Sequence, residues 1–317
     1  MSTMTQVPYA PDSSTIPDSG GRRLWIQAIA GVLLFLLIQI IVYGVRPALQ
    51  PTVGHALPGP AAAVAVVLAE CAVCVVMTVW GYRLLIRWTA RRRAFEMSGP
   101  DALHELAVGM GLGTGLMCAV FGILALVGAY RISRVGWSEG ILVGAEAGVL
   151  GGFTEEMLMR GVALRLIETR LGSLWALTLT SFIFGLLHLF NPEASLYDCL
   201  AIVLEAGLLL GACYLLTRRL WLAIGLHAAW NFVQGGIFGS DISGTGSGRG
   251  LIEARFTGPD LLTGGVMGIE ASVVAVIVCT AAGVAMLLAV RRRGLVVPPC
   301  WRRPILGDAV GNERSAG

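Results

Sequence analysis

The sequence predicts an all-α membrane protein, a polytopic bundle of about eight transmembrane helices in the cell membrane. Hydrophobic residues make up 56% of the chain and charged residues only 14%, and the mean hydropathy is +0.75. Soluble domains carry roughly 25% charged residues, so this composition excludes an ordinary soluble domain. Apolar runs near the ~20 residues that cross a bilayer recur along the chain. The net charge of +3 comes from loop arginines and predicts no nucleic-acid partner.

The chain divides into four regions. Residues 1–21 are rich in Ser, Thr, Pro and Asp, a composition that predicts a disordered N-terminal tail. A first group of transmembrane helices is expected in 22–135, a second group with the polar motifs in 136–290, and a cytoplasmic tail in 291–317. The predicted spans are 24–45, 60–82, 106–130, 140–163, 174–190, 197–217, 220–239 and 265–290.

The arginines predict the orientation of the bundle. The chain has no lysine, and all 23 basic residues are arginine, which we interpret as a genomic composition bias. Arginine clusters fall in alternate loops of the eight-span arrangement, at 22–23, 83–93, 165–170, 218–219 and 291–303. Because cytoplasmic loops carry the excess of positive residues, both termini are predicted to be cytoplasmic. Arg131 and Arg134, in a loop on the other side, run against this pattern.

The fourth predicted span carries three charged residues inside an apolar run that begins near Ile141. Each of Glu155, Glu156 and Arg160 costs roughly 2.5–3.5 kcal/mol at the centre of a transmembrane helix. Glu156 and Arg160 are an i,i+4 pair on one helix face. Glu155 points about 100° away and is free to face another group. On its own this stretch is consistent with a structural ion pair or with a functional site.

Two histidines and an asparagine are predicted at a similar depth in the membrane. At about 1.5 Å per residue, Glu155 lies about 15 Å and His188 about 20 Å from the cytoplasmic face. His227 and Asn231 lie about 10 and 16 Å from that face. A lone intramembrane histidine usually hydrogen-bonds between helices, but two histidines near the level of a free glutamate favour chemistry.

These residue types are suited to hydrolysis by water. Glu155 with His188 can hold a water and remove its proton, directly or with a bound metal. His227 and Asn231, four residues apart on one helix face, can stabilise the oxyanion that forms when the water attacks an amide. The sequence lacks the HExxH pattern of soluble zinc proteases and a Ser or Cys nucleophile beside a histidine with an orienting acid. The Cys71–Cys74 CxxC pair lies mid-helix, and we interpret it as two small hydrophobic residues.

Three motifs resemble those of a known family, the CPBP family of CAAX proteases and bacteriocin-processing (Abi) proteins. The family's EExxxR motif corresponds to Glu155–Arg160, FxxxH to Phe184–His188 and HxxxN to His227–Asn231. All three occur in order at the family's spacings. The resemblance covers about 140–239, with a weaker echo in 264–270, and does not extend to the first three spans.

The resemblance implies an intramembrane endopeptidase in which each motif has a role. Glu155 would activate the water, assisted by His188. His227 and Asn231 would stabilise the tetrahedral intermediate, and the Glu156–Arg160 pair would support the first motif. Eukaryotic relatives cleave the last three residues from prenylated CaaX proteins, whereas bacterial relatives serve in bacteriocin self-immunity or have no known substrate.

The resemblance leaves the cofactor open. Members of the family are named metalloproteases, and Glu155, His188 and His227 form a set that could hold zinc. The same residues could also act without a metal. A different class of function also stays open: a transporter or a non-catalytic scaffold could use the buried Glu, His and Arg as a polar network. No internal repeat links the two halves, which argues mildly against a transporter.

Several further intramembrane residues lack an assigned role. Glu146 either lines the mouth of a cavity or snorkels outward, and we favour the second. Glu205, in the middle of the sixth span, either pairs with an arginine of a neighbouring helix or faces a water-filled cavity. The glycine pairs 151–152 and 235–236 predict close helix approach.

Overall fold

The computed structural model describes residues 21–246 and 248–302. This part of the chain forms a bundle of helices with one small β-sheet, which confirms the predicted all-α polytopic class. Residues 1–20 of the predicted tail (1–21) and the chain end at 303–317 lie outside the described residues, whereas Gly21 is the first residue of the first helix.

The first half of the bundle contains three long helices and the start of the fourth predicted span. Their bounds are α1 Gly21–Ala56, α2 Gly59–Thr89, α3 Ala102–Leu126 and α4 Gly140–Leu150. The second half consists of shorter helices. They are α5 Arg165–Leu187, α6 Leu196–Ile202, α7 Leu208–Thr217, α8 Trp221–Asn231, α9 Asp260–Thr263 and α10 Val273–Arg292.

Four π-helical segments connect these helices without breaking the chain direction. They are Gly151–Glu155, Met157–Leu164, Val203–Gly207 and Phe232–Ile237. A π-turn widens the helix by one residue per turn and disturbs the regular hydrogen-bond ladder. Such turns are rare in proteins, and those that occur are often found at functional sites. Here the first two contain most of the EExxxR motif, and the last directly follows Asn231.

Six helical stretches of the described chain are long and apolar enough to cross a membrane. They are Arg23–Ala56, Gly59–Thr89, Ala102–Leu126, Gly140–Phe190, Leu196–Thr217 and Val273–Arg292. The fourth stretch contains two of the predicted spans, which are separated by a break at Gly172 (φ 76°, ψ 171°). The seventh predicted span is the shorter helical run of α8 and its following π-segment, Trp221–Ile237.

The start of the last span differs from the predicted one. We expected it at 265, but α10 begins at Val273, where the Ser272 side chain caps the helix by accepting from the Val274 amide. Residues 265–271 form two short 3₁₀ turns instead. Gly268 adopts φ 81° between them, a conformation that interrupts a helix and favours glycine.

The loops predicted at 131–137 and 239–264 contribute a two-stranded antiparallel sheet. Strand β1, Tyr130–Val135, pairs with β2, Ile252–Phe256, so that Tyr130 lies opposite Phe256. The hydroxyl of Tyr130 donates to the Phe238 carbonyl at 3.0 Å. These aromatic residues anchor the sheet to the bundle. The helical pattern of the sequence did not predict this pairing, because it joins segments more than a hundred residues apart.

Helix α8 is held on two sides by glycines of its neighbours. A Cβ atom on Gly148 of α4 would lie 2.4 Å from the Ala228 carbonyl oxygen, and one on Gly113 of α3 would lie 2.4 Å from the Leu226 carbonyl oxygen. The backbones are therefore in direct contact, as in membrane helices joined through small residues. This contact fixes the position of the helix that carries His227 and Asn231.

The loops with the arginine clusters meet at one end of the bundle, which we call the basic end. Arg218 and Glu168 pair at 2.6 Å, and Arg219 and Glu105 at 2.5 Å. Arg165 binds the side chain of Gln27 at 2.8 Å and so ties the start of α1 to the same end. The sheet and the loop 239–246 lie at the opposite end. The positive-inside rule predicts that the basic end faces the cytoplasm.

We expect Gly113→Ala to destabilise the bundle, because its methyl group would overlap the backbone of α8. Overpacking typically costs about 1–3 kcal/mol. Thermal unfolding of the purified protein in detergent measures the effect. Gly111→Ala on the same helix is the matched control, since nothing lies within 4 Å of its Cβ position. Equal melting temperatures for the two variants would contradict the close α3–α8 contact.

Candidate active site

One buried carboxylate organises the site. Oε1 of Glu156 accepts a hydrogen bond from Arg160 Nη1 at 2.8 Å and lies 2.9 Å from His227 Nδ1. Glu156 is 0% and Arg160 1% exposed. The predicted i,i+4 pair is therefore present. Glu156 also links the EExxxR motif to the HxxxN motif, which are 71 positions apart.

The guanidinium of Arg160 also contacts two backbone carbonyls and an aromatic ring. Its Nη2 donates to the Ala206 and Gly207 carbonyls at 3.3 and 3.4 Å. These carbonyls belong to the π-segment Val203–Gly207, whose irregular turn makes them available. The guanidinium carbon lies 4.8 Å from the ring centroid of Phe184, a distance typical of a cation–π contact. Arg160 thus joins three elements of the bundle.

Glu156 fixes the orientation of His227. With Nδ1 of the ring donating to Glu156, Nε2 points towards Glu155, whose Oε2 lies 4.0 Å away. That separation is too long for a direct hydrogen bond and is suited to a bridging water or substrate atom. A carboxylate that accepts a hydrogen bond from one ring nitrogen commonly fixes the orientation of a histidine. The other ring nitrogen is then free to bind a ligand.

His188 lies at the end of α5, where the helix tightens into the 3₁₀ turn His188–Phe190. Its Nδ1 lies 2.8 Å from the Phe184 carbonyl oxygen, so the neutral ring carries its proton on Nδ1 and offers Nε2 as an acceptor. The Phe184 ring contacts both histidines, at centroid distances of 5.0 Å to His188 and 6.2 Å to His227. The FxxxH phenylalanine therefore spaces the two imidazoles.

Gly151 keeps the space in front of the HxxxN motif open. A Cβ atom there would lie 3.2 Å from His227 Nε2 and 3.1 Å from Asn231 Nδ2. We expected both glycines of the 151–152 pair to serve helix packing. Gly152 does so, since its Cβ position lies 3.0 Å from the Ile224 carbonyl oxygen. Gly151 instead faces the two polar side chains that are predicted to stabilise the oxyanion.

A cavity of about 810 Å³ brings the candidate residues together. Four of the six predicted site residues line it: Glu155, His188, His227 and Asn231. The buried Glu156 and Arg160 lie behind the wall. One apolar side is provided by α1, through Val32, Phe35 and Leu36 among others. This contribution of the first span could not be predicted from the motifs, which all lie beyond residue 150.

The structure adds an acidic residue to the cavity. Glu270, in the 3₁₀ turn Ile269–Ala271, is 5% exposed, and its Oε2 accepts from the Ser243 hydroxyl at 2.7 Å. It is close enough to His188 and His227 to interact with both electrostatically. The only sequence signal was the weak echo of the family in 264–270. Motif spacing could not place this turn beside the histidines.

Glu146 and Glu205 both line the cavity. Glu146 accepts from Arg46 at 2.5 Å, and the same arginine binds the buried Glu70 at 2.8 Å. The outward-snorkelling position that we favoured for Glu146 is therefore wrong, because Arg46 holds it at the cavity wall. For Glu205 the cavity alternative is the correct one. Its carboxyl has no hydrogen-bond partner within the described part of the chain.

The arrangement does not fit a three-ligand metal site. Among the described residues, no group of three or more His, Cys, Asp or Glu side chains is placed to hold a metal ion. Glu155 and His227 approach each other, but a catalytic zinc typically takes a third protein ligand. The zinc set Glu155, His188 and His227 stays a prediction, and the proposed mechanism includes no step through a metal.

Comparison with known proteins agrees with this site. Residues 137–233 match the family model for type II CAAX prenyl endopeptidase, Rce1-like. The matched segment contains all three motifs. Comparisons with curated proteins and with solved structures gave no match.

The helical membrane fold thus encloses a cavity lined by glutamate, histidine and asparagine side chains. Through the segment 137–233, the chain is similar to the type II CAAX prenyl endopeptidases.

We expect Arg160→Ala to lower the yield and melting temperature of the folded protein. Removing one member of a buried ion pair leaves the other charge stranded and typically costs about 3–5 kcal/mol. The double change Glu156→Gln with Arg160→Met should restore much of the yield. It should not restore full activity, because the neutral amide cannot hold His227 as the carboxylate does. An Arg160→Ala protein as abundant and stable as wild type would contradict the structural role of the pair.

Proposed function

We propose that the protein hydrolyses a peptide bond of a membrane-associated substrate with water activated by Glu155 and His188. The observation that carries the proposal is the cavity lined by Glu155, His188, His227 and Asn231, with Glu156 holding His227 from behind. The apolar wall from α1 suits the lipid-embedded part of such a substrate. A prenylated or CaaX-like peptide is the substrate class that the family suggests.

Glu155 is the general base of the proposed reaction. Its side chain is 36% exposed to the cavity and can take a proton from a water that also donates to His188 Nε2. The hydroxide attacks the carbonyl carbon of the scissile bond and forms a tetrahedral oxyanion. Glu155 then returns the proton to the leaving amine as the carbon–nitrogen bond breaks. A positioned base of this kind contributes about 10²–10⁴ in rate.

His227 and Asn231 are the proposed oxyanion partners. Asn231 makes only a long contact, with Nδ2 at 3.4 Å from the Ala147 carbonyl oxygen, so its amide can turn towards a substrate. His227 Nε2 donates when the ring carries two protons. The open space at Gly151 is where the carbonyl oxygen of a bound peptide would lie, next to both donors.

We expect Glu155→Gln to lose at least about 10²-fold in turnover of a quenched CaaX-type peptide, with an unchanged melting temperature. His188→Ala should lose a similar factor, and Asn231→Ala about 10²–10³ through the lost oxyanion contact. Purified protein in detergent serves for the assay. Glu139→Gln, an exposed position away from the cavity, is the control and should retain activity.

Near-normal turnover in Glu155→Gln would remove Glu155 from the mechanism. A wild-type protein that binds the peptide without cleaving it would instead favour the scaffold alternative. In the first outcome the Glu155→Gln protein still cleaves the peptide, and in the second the wild-type protein does not cleave it. The same assay of both proteins therefore separates the two outcomes.

A further inference from the structure

Glu205 is a buried carboxylate whose oxygens have no partner within the described part of the chain. It lies in the π-segment Val203–Gly207, is 0% exposed and lines the cavity. Neither Oε1 nor Oε2 accepts a hydrogen bond from the described residues. An ionisable group without a partner is costly at membrane depth and points to a function.

The surroundings of Glu205 are rich in acceptors and poor in cations. Glu270 is close enough to interact with it electrostatically, carboxyl against carboxyl. Gln234 donates to the Asp241 carbonyl, while its own Oε1 is buried without a partner among the described residues. Of the nearby arginines, Arg160 is engaged by Glu156 and two backbone carbonyls. Glu270 lies near His188 and His227, but Glu205 has no positively charged hydrogen-bond partner in the described chain.

We propose that Glu205 and Glu270 form a subsite for a guanidinium or ammonium side chain of the peptide substrate. The inference rests on the proposed function and specifies its substrate. A guanidinium has five donors and can bind two carboxylates at once. An organic cation fits better than a metal ion, because no third His, Cys, Asp or Glu of the described chain completes a metal site here.

The test compares arginine with its uncharged analogue citrulline at each position around the scissile bond of a quenched peptide. At one position, we expect the wild-type protein to have at least about tenfold higher kcat/KM for arginine. Glu205→Gln and Glu270→Gln should bring this ratio close to one, whereas Glu139→Gln should keep it. No preference at any position, or a preference that survives Glu205→Gln, would overturn the subsite.

Binding keeps this test independent of hydrolysis. In Glu155→Gln protein, the arginine peptide should bind at least about tenfold more tightly than the citrulline peptide. That result would support the subsite even if wild-type protein cleaves no peptide. The absence of cleavage would contradict the proposed function but not the subsite. Thermal stabilisation by Ca²⁺ or Mg²⁺ that depends on Glu205, without any peptide preference, would assign the pair to a metal and overturn the proposal.

A separate observation concerns the side of the membrane from which the cavity is reached. Its rim contains Asn191, Ser243 and Thr245, which belong to the loops at the end opposite the basic end. Exposed lining residues include Tyr43 and Val143 towards the same end, and also Val32 and Ile183 further along α1 and α5. Among the described residues, those that form the ion pairs of the basic end do not line the cavity.

Arginine is distributed very unevenly between the two ends. The basic end carries Arg23, Arg83, Arg87, Arg91, Arg92, Arg93, Arg165, Arg170, Arg218, Arg219, Arg291, Arg292, Arg293 and Arg302. The described residues of the other end carry Arg46, Arg131, Arg134, Arg249 and Arg255. Because the excess of arginine marks the cytoplasmic side, the rim of the cavity faces away from the cytoplasm.

We infer that the cavity opens to the non-cytoplasmic side and receives peptide segments presented there. Given the proposed function, its substrates are membrane-anchored proteins whose scissile segment has crossed the bilayer. The orientation itself does not depend on catalysis.

Cysteine labelling in intact cells tests the orientation. Thr245→Cys on the rim and Thr257→Cys after β2 should react with a membrane-impermeant maleimide without permeabilisation. Ala90→Cys at the basic end should react only after permeabilisation, and the unchanged chain measures the background from its seven native cysteines. Ser247, another position of the outer loop, lies outside the described residues and is not a labelling site in this test.

Reaction of Thr245→Cys only after permeabilisation would overturn the outward opening, whatever the protein's activity. If labelling supports the orientation, an impermeant peptide added outside intact cells should be cleaved. Failure of that cleavage with the correct labelling would count against the proposed function, since the opening would be accessible and inactive.

Discussion

The carboxylate of Glu156 is the contact on which the site depends. It compensates the charge of Arg160, which the bundle buries almost completely, and it holds His227 by its second ring nitrogen. Through Arg160 it also reaches the carbonyls of the π-segment Val203–Gly207. Without this carboxylate, an arginine would stand uncompensated at membrane depth and the imidazole would lose its orientation. The structural and the functional roles of the first motif are therefore inseparable.

Close backbone packing makes that contact possible. Glycines at 113 and 148 let α3 and α4 approach α8 until their Cβ positions would overlap its carbonyl oxygens. Side chains from three segments can then meet over short distances, although lipid offers no hydrophobic force to drive the helices together. Gly151 also lacks a side chain, but there the free space lies in front of His227 and Asn231 and leaves room for the proposed substrate.

Apart from Glu155, the proposed base, the intramembrane carboxylates fall into two groups, and the difference between them is informative. Glu70, Glu146 and Glu156 each pair with an arginine, so their burial has a structural explanation. Glu205 has no such partner in the described chain, and Glu270 accepts from a serine hydroxyl. Since burying a charge without a partner is expensive, the second group carries the inference of a cation-binding subsite.

The sequence by itself determined the membrane class, the spacing of the motifs and the Glu156–Arg160 pair, because these follow from apolar run length and from the helical repeat. It also predicted that the two histidines lie in one layer of the membrane. Only the tertiary structure decided that Glu156 holds His227, that α1 forms a wall of the cavity, and that Glu270 and Glu146 face it. These contacts join residues far apart in the chain, and no local periodicity encodes which helix faces meet. The π-turns and the β1–β2 pairing were hidden for the same reason, since both are stabilised by partners that a linear pattern does not contain.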